Sequence, residues 1–384
     1  MKLELDIVPL KKWFPNFSKP LLIVGPCSAE NEEQVLDTAK QIAAFYPNSV
    51  FRAGIWKPRT RPNTFEGIGD IALKWMQLVK KETGLQTATE VATAEHVEKC
   101  LNHGIDILWI GARTAVNPFS VQEIADALKG VDIPVFVKNP IYPDIQLWAG
   151  ALERVNNSGI KKIAAIHRGF HSYDNGLFRN SPKWELAIEL KTACPELPIF
   201  CDPSHIGGTP ELIPYLSQKA MDMDMDGLMI ETHCNPQVAL SDAKQQIKPF
   251  ELKEIINALQ IRSSSVPNME LQSKLDELRS IINQLDIDLL ELLAKRMAIS
   301  ANIGEYKRNN NITVLQIAHW KKLIETSLVN GSMLGLSTGF VKGLYHLIHD
   351  ESIRRQMEVM NNIPFVSTKG TSFNPLPKGE EEEM

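Results

Sequence analysis

Residues 49–60 read SVFRAGIWKPRT. β-branched and aromatic residues open the stretch as in a buried strand, and Pro58 imposes a rigid turn where the strand would otherwise continue. Arg52, Lys57 and Arg59 crowd the point where strand becomes turn. Like charges this close repel unless solvent or a bound anion screens them. A solvated basic loop would account for three cations alone, so their meaning depends on what the rest of the chain places beside them.

Outward from this stretch, short apolar or β-branched runs alternate with helix-length amphipathic stretches from residue 21 onward. Eight runs fit strands: LLIVGPC from Leu21, SVFRAGIW from Ser49, LQTATEV from Leu85, ILWIGAR from Ile107, PVFVKNP from Pro134, KKIAAIHRGF from Lys161, PIFCDPSH from Pro198 and GLMIETH from Gly227. Eight strands with intervening helices are the count of an α/β fold, the closed (β/α)8 TIM barrel, whose last helix would fill residues 243–259. An open doubly wound sheet is the alternative, and the lack of GxGxxG after the first strand counts against it. A charged or metal-capable residue stands at or just beyond the end of every strand: Cys27, Arg52 with Lys57, Glu90, Arg113, Lys138, Arg168, His205 and Glu231. In a barrel those ends converge on one mouth, so the scattered residues become a single pocket.

The 384 residues are 43% hydrophobic with a mean hydropathy of -0.15, the balance of a globular chain with ample apolar surface to bury. A net charge of -5 and a pI near 6.0 exclude an extended nucleic-acid surface, so a basic cluster reads as a local site for a small anion. Residues 1–20 contain no continuous apolar segment of the signal-peptide kind, and no run is long enough to span a bilayer, so a cytoplasmic protein without membrane contact is expected. Five cysteines without CxxC spacing indicate neither a disulfide framework nor a zinc finger.

Composition changes at residues 261–268 (IRSSSVPN), which read as a linker between a barrel domain, 1–260, and a helical domain, 269–360. Leu271, Leu275, Leu278, Ile282, Leu285, Leu289 and Leu292 repeat at steps of four and three, and Ile299 and Ile303 resume the pattern, predicting one long helix. Two shorter helices are expected near residues 316–328 and 336–360, separated by an NGSMLG turn. Residues 361–384 are polar and acidic with two prolines beyond Pro364, the composition of a disordered tail.

Among the strand-end residues, Arg52, Lys57, Arg59, Arg113, Lys138 and Arg168 form a cationic group large enough for two phosphorylated substrates, or for one that also bears a carboxylate. Cys27, His205, Glu231 and Asp242 form a mixed sulfur, nitrogen and oxygen set that suits manganese, iron or zinc better than magnesium or calcium. Taken singly, Cys27 would be a small core residue and His205 a satisfied turn histidine, but both lie in Gly/Pro-rich strand exits.

GPCSAE, FRAGIWKPRT, GART, VKNP, IHRGF, DPSHIGG and ETHCNPxxALSDAKQQ, over about residues 20–260, together resemble 3-deoxy-D-arabino-heptulosonate 7-phosphate (DAHP) synthases of the shorter bacterial subclass. The resemblance implies condensation of phosphoenolpyruvate with erythrose 4-phosphate and release of phosphate. It implies that Arg113, Arg168 and the Ala112 backbone hold the phosphoenolpyruvate phosphate. Arg52, Lys57 and Lys138 would take its carboxylate, and the Lys57-Pro58-Arg59-Thr60 turn the acceptor. A divalent ion on Cys27, His205, Glu231 and Asp242, manganese foremost with iron, cobalt or zinc as alternatives, would act as a Lewis acid. Lys57, its pKa lowered by neighbouring cations, would deliver a proton, and Glu90 would handle the water. The rival octulosonate 8-phosphate synthases carry an Asn-containing turn where this chain has KPRT.

Arg296 interrupts the apolar seam of the long helix, and Lys307, eleven residues on and about three turns away, shares its face. Arg279 lies about 25 Å earlier along the axis and about 100° around, too far to serve the same pocket from one helix. With Ser352 and Gln356, these residues resemble the all-helical chorismate mutases over about residues 269–358. The resemblance implies a homodimer, or a higher homo-oligomer, in which Arg279 completes the neighbour's site. Arg279 and Arg296 would bind the carboxylates of chorismate, and Lys307 and Gln356 would face its ether oxygen on the way to prephenate. Where the family carries an acidic residue and then an Arg-Glu pair, this chain has Gln316, His319 and Trp320, so Gln316 is left to meet the substrate hydroxyl. An alternative is a helical domain that senses chorismate or prephenate and regulates the synthase.

Overall fold

The computed structural model describes residues 2–58, 64–172, 176–262 and 268–361. The chain divides into two compact units, Met1–Ser264 and Ser265–Met384.

In the first unit, eight parallel strands close into a barrel: β1 (Leu21–Gly25), β2 (Val50–Arg52), β3 (Gln86–Val91), β4 (Ile107–Ile110), β5 (Val135–Lys138), β6 (Ile163–His167), β7 (Ile199–Cys201) and β8 (Gly227–Glu231). Each pairs with the next in sequence, and β8 pairs with β1 from Leu21↔Gly227 to Gly25↔Glu231, which excludes the open sheet. This closing register sets Cys27, two residues past β1, beside Glu231 at the end of β8.

Helices α1 (Glu32–Phe45), α2 (Ile71–Thr83), α3 (Ala94–Asn102), α4 (Pro118–Ala127), α5 (Ile145–Asn157), α6 (Trp184–Ala193), α7 (Ile213–Asp222) and α8 (Pro249–Ala258) follow the strands in turn. The side chains of Asn31, Thr93, Asn117 and Asp144 accept backbone N–H groups at the starts of α1, α3, α4 and α5, each such cap stabilising by about 1 kcal/mol. The last helix begins at Pro249, not at residue 243 as the pattern suggested. Asp242 lies in the left-handed region (φ 47°) and Ala243–Gln245 form a single 3-10 turn, so this segment serves the barrel mouth before the helix starts.

Strand alternation separates two cores. Val24, Phe51, Leu108, Ile110, Val137 and Ile230 pack outward against the helices. Ile23, Val50, Trp109, Phe136, Ile166, Phe200 and Met229 fill the interior, with Phe136 and Phe200 edge to face at 5.1 Å. Leu10, Trp13 and Phe14, from the segment before β1, join this interior cluster and close the barrel beneath the strand starts.

The second unit contains α9 (Met269–Asn309), α10 (Ile317–Met333) and α11 (Thr338–Asn361). Asn268 caps α9 by accepting the Leu271 N–H at 2.8 Å. α10 runs on through Asn330–Met333, the first four residues of the expected NGSMLG turn, and the chain reverses at its last residue, Gly335 (φ 78°). Gly331 lies close against Val341, so a Cβ there would stand 2.5 Å from its side chain. Most apolar residues of α9 are exposed, among them Leu285 at 60%. No helix among the described residues is long and apolar enough to cross a membrane.

Candidate active sites

At the barrel mouth, ligand atoms of Cys27, Glu231 and Asp242 lie within 4.8 Å of one another. His205 joins them: its Nε2 is 3.7 Å from Glu231 Oε1, and its Nδ1 meets Asp202 at 2.8 Å, which orients the ring. Burial pushes His205 down, against Asp202 and Glu231, which favour its charged form. Burial, reinforced by Glu231, pushes the Cys27 thiol up to about 12. Burial alone would raise Glu231 and Asp242, but His205 with Arg52 in one case, and His205 with Arg179 in the other, hold both below the carboxylate range. One thiol, one imidazole and two ionised carboxylates from three strand exits, those of β1, β7 and β8, fit a divalent transition metal.

Each of these candidate donors is seated by a neighbour. Glu231 accepts from Arg52 at 3.0 Å and from Gln245 Nε2 at 2.6 Å, and its N–H donates to Ser204. The Cys27 N–H donates to Gln246 Oε1, and its thiol donates to Asp242 Oδ2 at 3.2 Å. Lys57 Nζ donates to the sulfur and the carbonyl of Cys27 at 2.9 and 3.0 Å. Burial would lower Lys57, yet Cys27 and Glu231 raise it above the ordinary lysine value. The expectation of a depressed Lys57 is therefore overturned, because the acidic groups beside it outweigh Arg52.

Arg52 is 1% exposed, with its guanidinium 4.8 Å from the Trp109 ring centroid, while Lys138 lies 5.9 Å from that centroid and pairs with Asp202 at 2.7 Å. The Trp109 indole donates to Glu90 at 3.2 Å. Trp109 is thus both the top layer of the inner core and the floor of the site. Arg168 donates to Asn180 Oδ1 at 3.0 Å, and burial, with Arg179 and Arg113 nearby, pushes it down to about 10. Ala112 is half-buried and Arg113 exposed on the turn after β4, and Pro58 is half-buried beside Lys57. Arg59 and Thr60 lie outside the described residues.

Sequence reasoning passed over Asp202, Gln245, Gln246 and Arg179. The first three stand inside motifs already quoted, DPSHIGG and SDAKQQ, and were detectable there as polar residues without a stated partner. Arg179 lies in a loop with no periodicity and carried no signal.

In the helical unit, Arg296 donates to the Ser352 hydroxyl, and Lys307 donates to Gln356 Oε1 at 3.0 Å and to the Val314 carbonyl at 2.6 Å. Ser352 and Gln356 stand one turn apart on α11, facing two positions of α9. Gln316 is exposed at the start of α10, and Arg279 is exposed and paired with Asp276 on its own helix. Trp320 stacks on His349 with ring centroids 3.8 Å apart.

A model of the DAHP synthetase I family matches residues 16–266, and a chorismate mutase type II model matches residues 278–357. Phospho-2-dehydro-3-deoxyheptonate aldolase of Thermotoga maritima is 32% identical over 239 residues, covering 62% of this chain and 68% of that one. A 2-dehydro-3-deoxyphosphooctonate aldolase of Francisella tularensis is 28% identical over 263 residues, covering 63% and 90%. The crystal structure of the Thermotoga maritima heptonate aldolase (DAHP synthase) superposes with a TM-score of 0.56 at 27% identity, covering 65% of this chain and 74% of that one. Its truncated form gives 0.54 at 26% identity, covering 67% and 87%.

Proposed function

Because the chain belongs to the DAHP synthetase I family and carries a type II chorismate mutase domain behind it, we propose that it is bifunctional. In this reading residues 1–260 condense phosphoenolpyruvate with erythrose 4-phosphate to DAHP and phosphate, and residues 269–360 convert chorismate to prephenate. Both reactions run in the cytoplasm on small anions, without nucleic acid or membrane. The observation that carries the proposal is the ring of barrel-mouth cations around the Cys27, His205, Glu231 and Asp242 donor set.

A divalent ion on those four residues, manganese foremost, would supply Lewis acidity toward the acceptor aldehyde. The chain's own groups do the rest. Arg113, Arg168 and the Ala112 backbone bind the phosphoenolpyruvate phosphate, and Arg52, Lys57 and Lys138 draw its carboxylate toward the floor formed by Trp109. The turn Lys57-Pro58-Arg59-Thr60 takes the acceptor. Lys57, cationic in this setting, holds a proton beside the forming hydroxyl. Glu90, oriented by Trp109, receives a proton from the attacking water.

Phosphate release from phosphoenolpyruvate is expected to require erythrose 4-phosphate and to stop with a chelator. Equal turnover with arabinose 5-phosphate would instead assign the chain to the octulosonate branch that its relatives also include.

In the helical unit Arg296, Lys307, Ser352 and Gln356 would hold chorismate with its ether oxygen facing Lys307 and Gln356, and Arg279 would complete the pocket of a second copy. A sensing role is the second reading, favoured by Trp320, which stacks on His349 where the mutase family carries an Arg-Glu pair, and by the surface position of Gln316. Loss of chorismate absorbance, followed with the purified chain and with Arg296→Ala, separates the two: no turnover above background leaves sensing alone.

A further inference from the structure

Arg179 has no role in the reading above, yet the fold makes specific provision for it. Its N–H donates to the Gly207 carbonyl at 3.3 Å, and the Asn180 N–H donates to Ile206, so the segment docks along the short helix Pro203–Gly207 that carries His205. Gly208, the last residue of DPSHIGG, lies at φ 74°, and a Cβ there would stand 2.5 Å from Arg179 Cβ. A side chain at position 208 and an arginine stem at this place are therefore incompatible. Asn180, the next residue, holds Arg168 Nη1 at 3.0 Å and donates to the His205 carbonyl at 2.6 Å, so one dipeptide ties the phosphate wall to the metal set.

The head of Arg179 donates to Asp242 Oδ1 at 3.1 Å and to Gln245 Oε1, and its side chain is 47% exposed. It borders a cleft of about 300 Å³ lined by Arg179, Gly208, Asp242, Ala243, Lys244 and Gln245. Two cations against one carboxylate leave the cleft net positive, and a guanidinium with one edge spent on Asp242 keeps donors for a second acceptor.

We propose that Arg179 is a phosphate-binding residue, which grips a phosphate oxygen at this cleft while its other edge steadies Asp242. Lys244 adds a point charge at the rim. The ligand class is a phosphate monoester or inorganic phosphate. The inference rests on the phosphate chemistry proposed above, but its test needs no turnover.

The experiment is calorimetric titration of the full chain and of Arg179→Gln and Arg179→Lys with inorganic phosphate, phosphoenolpyruvate and erythrose 4-phosphate, each alone. Manganese binding is measured in parallel by paramagnetic resonance. Arg179→Gln is expected to weaken phosphate binding at least tenfold and manganese binding less than threefold, with Arg179→Lys recovering part of the loss. Whichever phosphorylated substrate weakens in step with inorganic phosphate is the one whose phosphate occupies the cleft. Unchanged phosphate affinity, or a manganese loss as large as the phosphate loss, would overturn the proposal and leave Arg179 as a support for Asp242 alone. Because binding is read directly, absence of DAHP formation would refute the functional reading without touching this result.

Discussion

Gly111 leaves no room for a methyl group: a Cβ there would stand 2.0 Å from Glu90 Oε1. Gly111→Ala is therefore expected to displace Glu90 from the Trp109 indole and to lower kcat for DAHP formation more than tenfold, with the circular-dichroism spectrum retained. A variant with normal kcat would remove Glu90 from the mechanism. His167 offers a second test. It is buried among Trp148, Phe170 and Trp184, and burial, partly offset by the Pro182 backbone, pushes it down to about 3. The unfolded chain binds this proton below about 6.5, so the stabilising contribution is complete above that pH and is lost as pH falls toward 3. His167→Leu should narrow the stability gap between pH 7 and pH 4 by about 3 kcal/mol, read from denaturant unfolding at the two pH values. An unchanged gap would contradict the assignment. At this scale charged strand-end residues were legible in the sequence because a charge after an apolar run needs a reason. Trp109 was not, since an inward tryptophan looks like any core residue, and Arg179 depends on a glycine 29 positions later, which no local pattern reveals.

Helix α9 was legible from its four-three repeat, and it runs from Met269 to Asn309. The break at Arg296 and the face shared with Lys307 also followed from the helical period, and both residues meet α11. What periodicity could not convey is how close the two helices come. A Cβ at Gly304 would lie 2.8 Å from Gln356 Cα, so the pairing of Lys307 with Gln356 depends on a glycine. Gly304→Val is expected to destabilise the helical unit by about 2 kcal/mol or more through overpacking, and to abolish any mutase activity while DAHP formation persists. Normal chorismate turnover in this variant would dissociate Gln356 from the chemistry. The late start of α8 was hidden for a different reason. Residues 243–248 carry helix-compatible side chains, but Asp242 and Gln246 are bonded to Cys27 and Gln245 to Glu231, and these contacts override propensity there.

The two units contrast in how they bury apolar surface. The barrel satisfies itself with two cores, whereas α9 leaves Leu278, Ile282, Leu285 and Leu289 from 47% to 60% exposed. A contiguous apolar stripe of this kind is covered in a stable protein, and a second copy is the occupant proposed here, which would also deliver Arg279. Sedimentation of the full chain should give at least a dimer, and the double change Ile282→Lys with Leu285→Lys should shift it toward monomer and reduce chorismate binding. A monomeric wild type would remove Arg279 from the site. The barrel architecture was legible because its strands, helices and turns recur eight times; assembly was not, because a leucine seam reads alike whether it faces its own chain or another.

The cluster of Leu10, Trp13 and Phe14 beneath the strands has a consequence for the order in which the molecule is made. These residues leave the ribosome before any strand of the barrel, yet the chamber they close is complete only when β8 has emerged to pair with β1, some two hundred residues later. Until then this segment carries a tryptophan and a phenylalanine with no finished wall to rest on. The cap is synthesised before its vessel, and barrel closure is coupled to the last strand to appear.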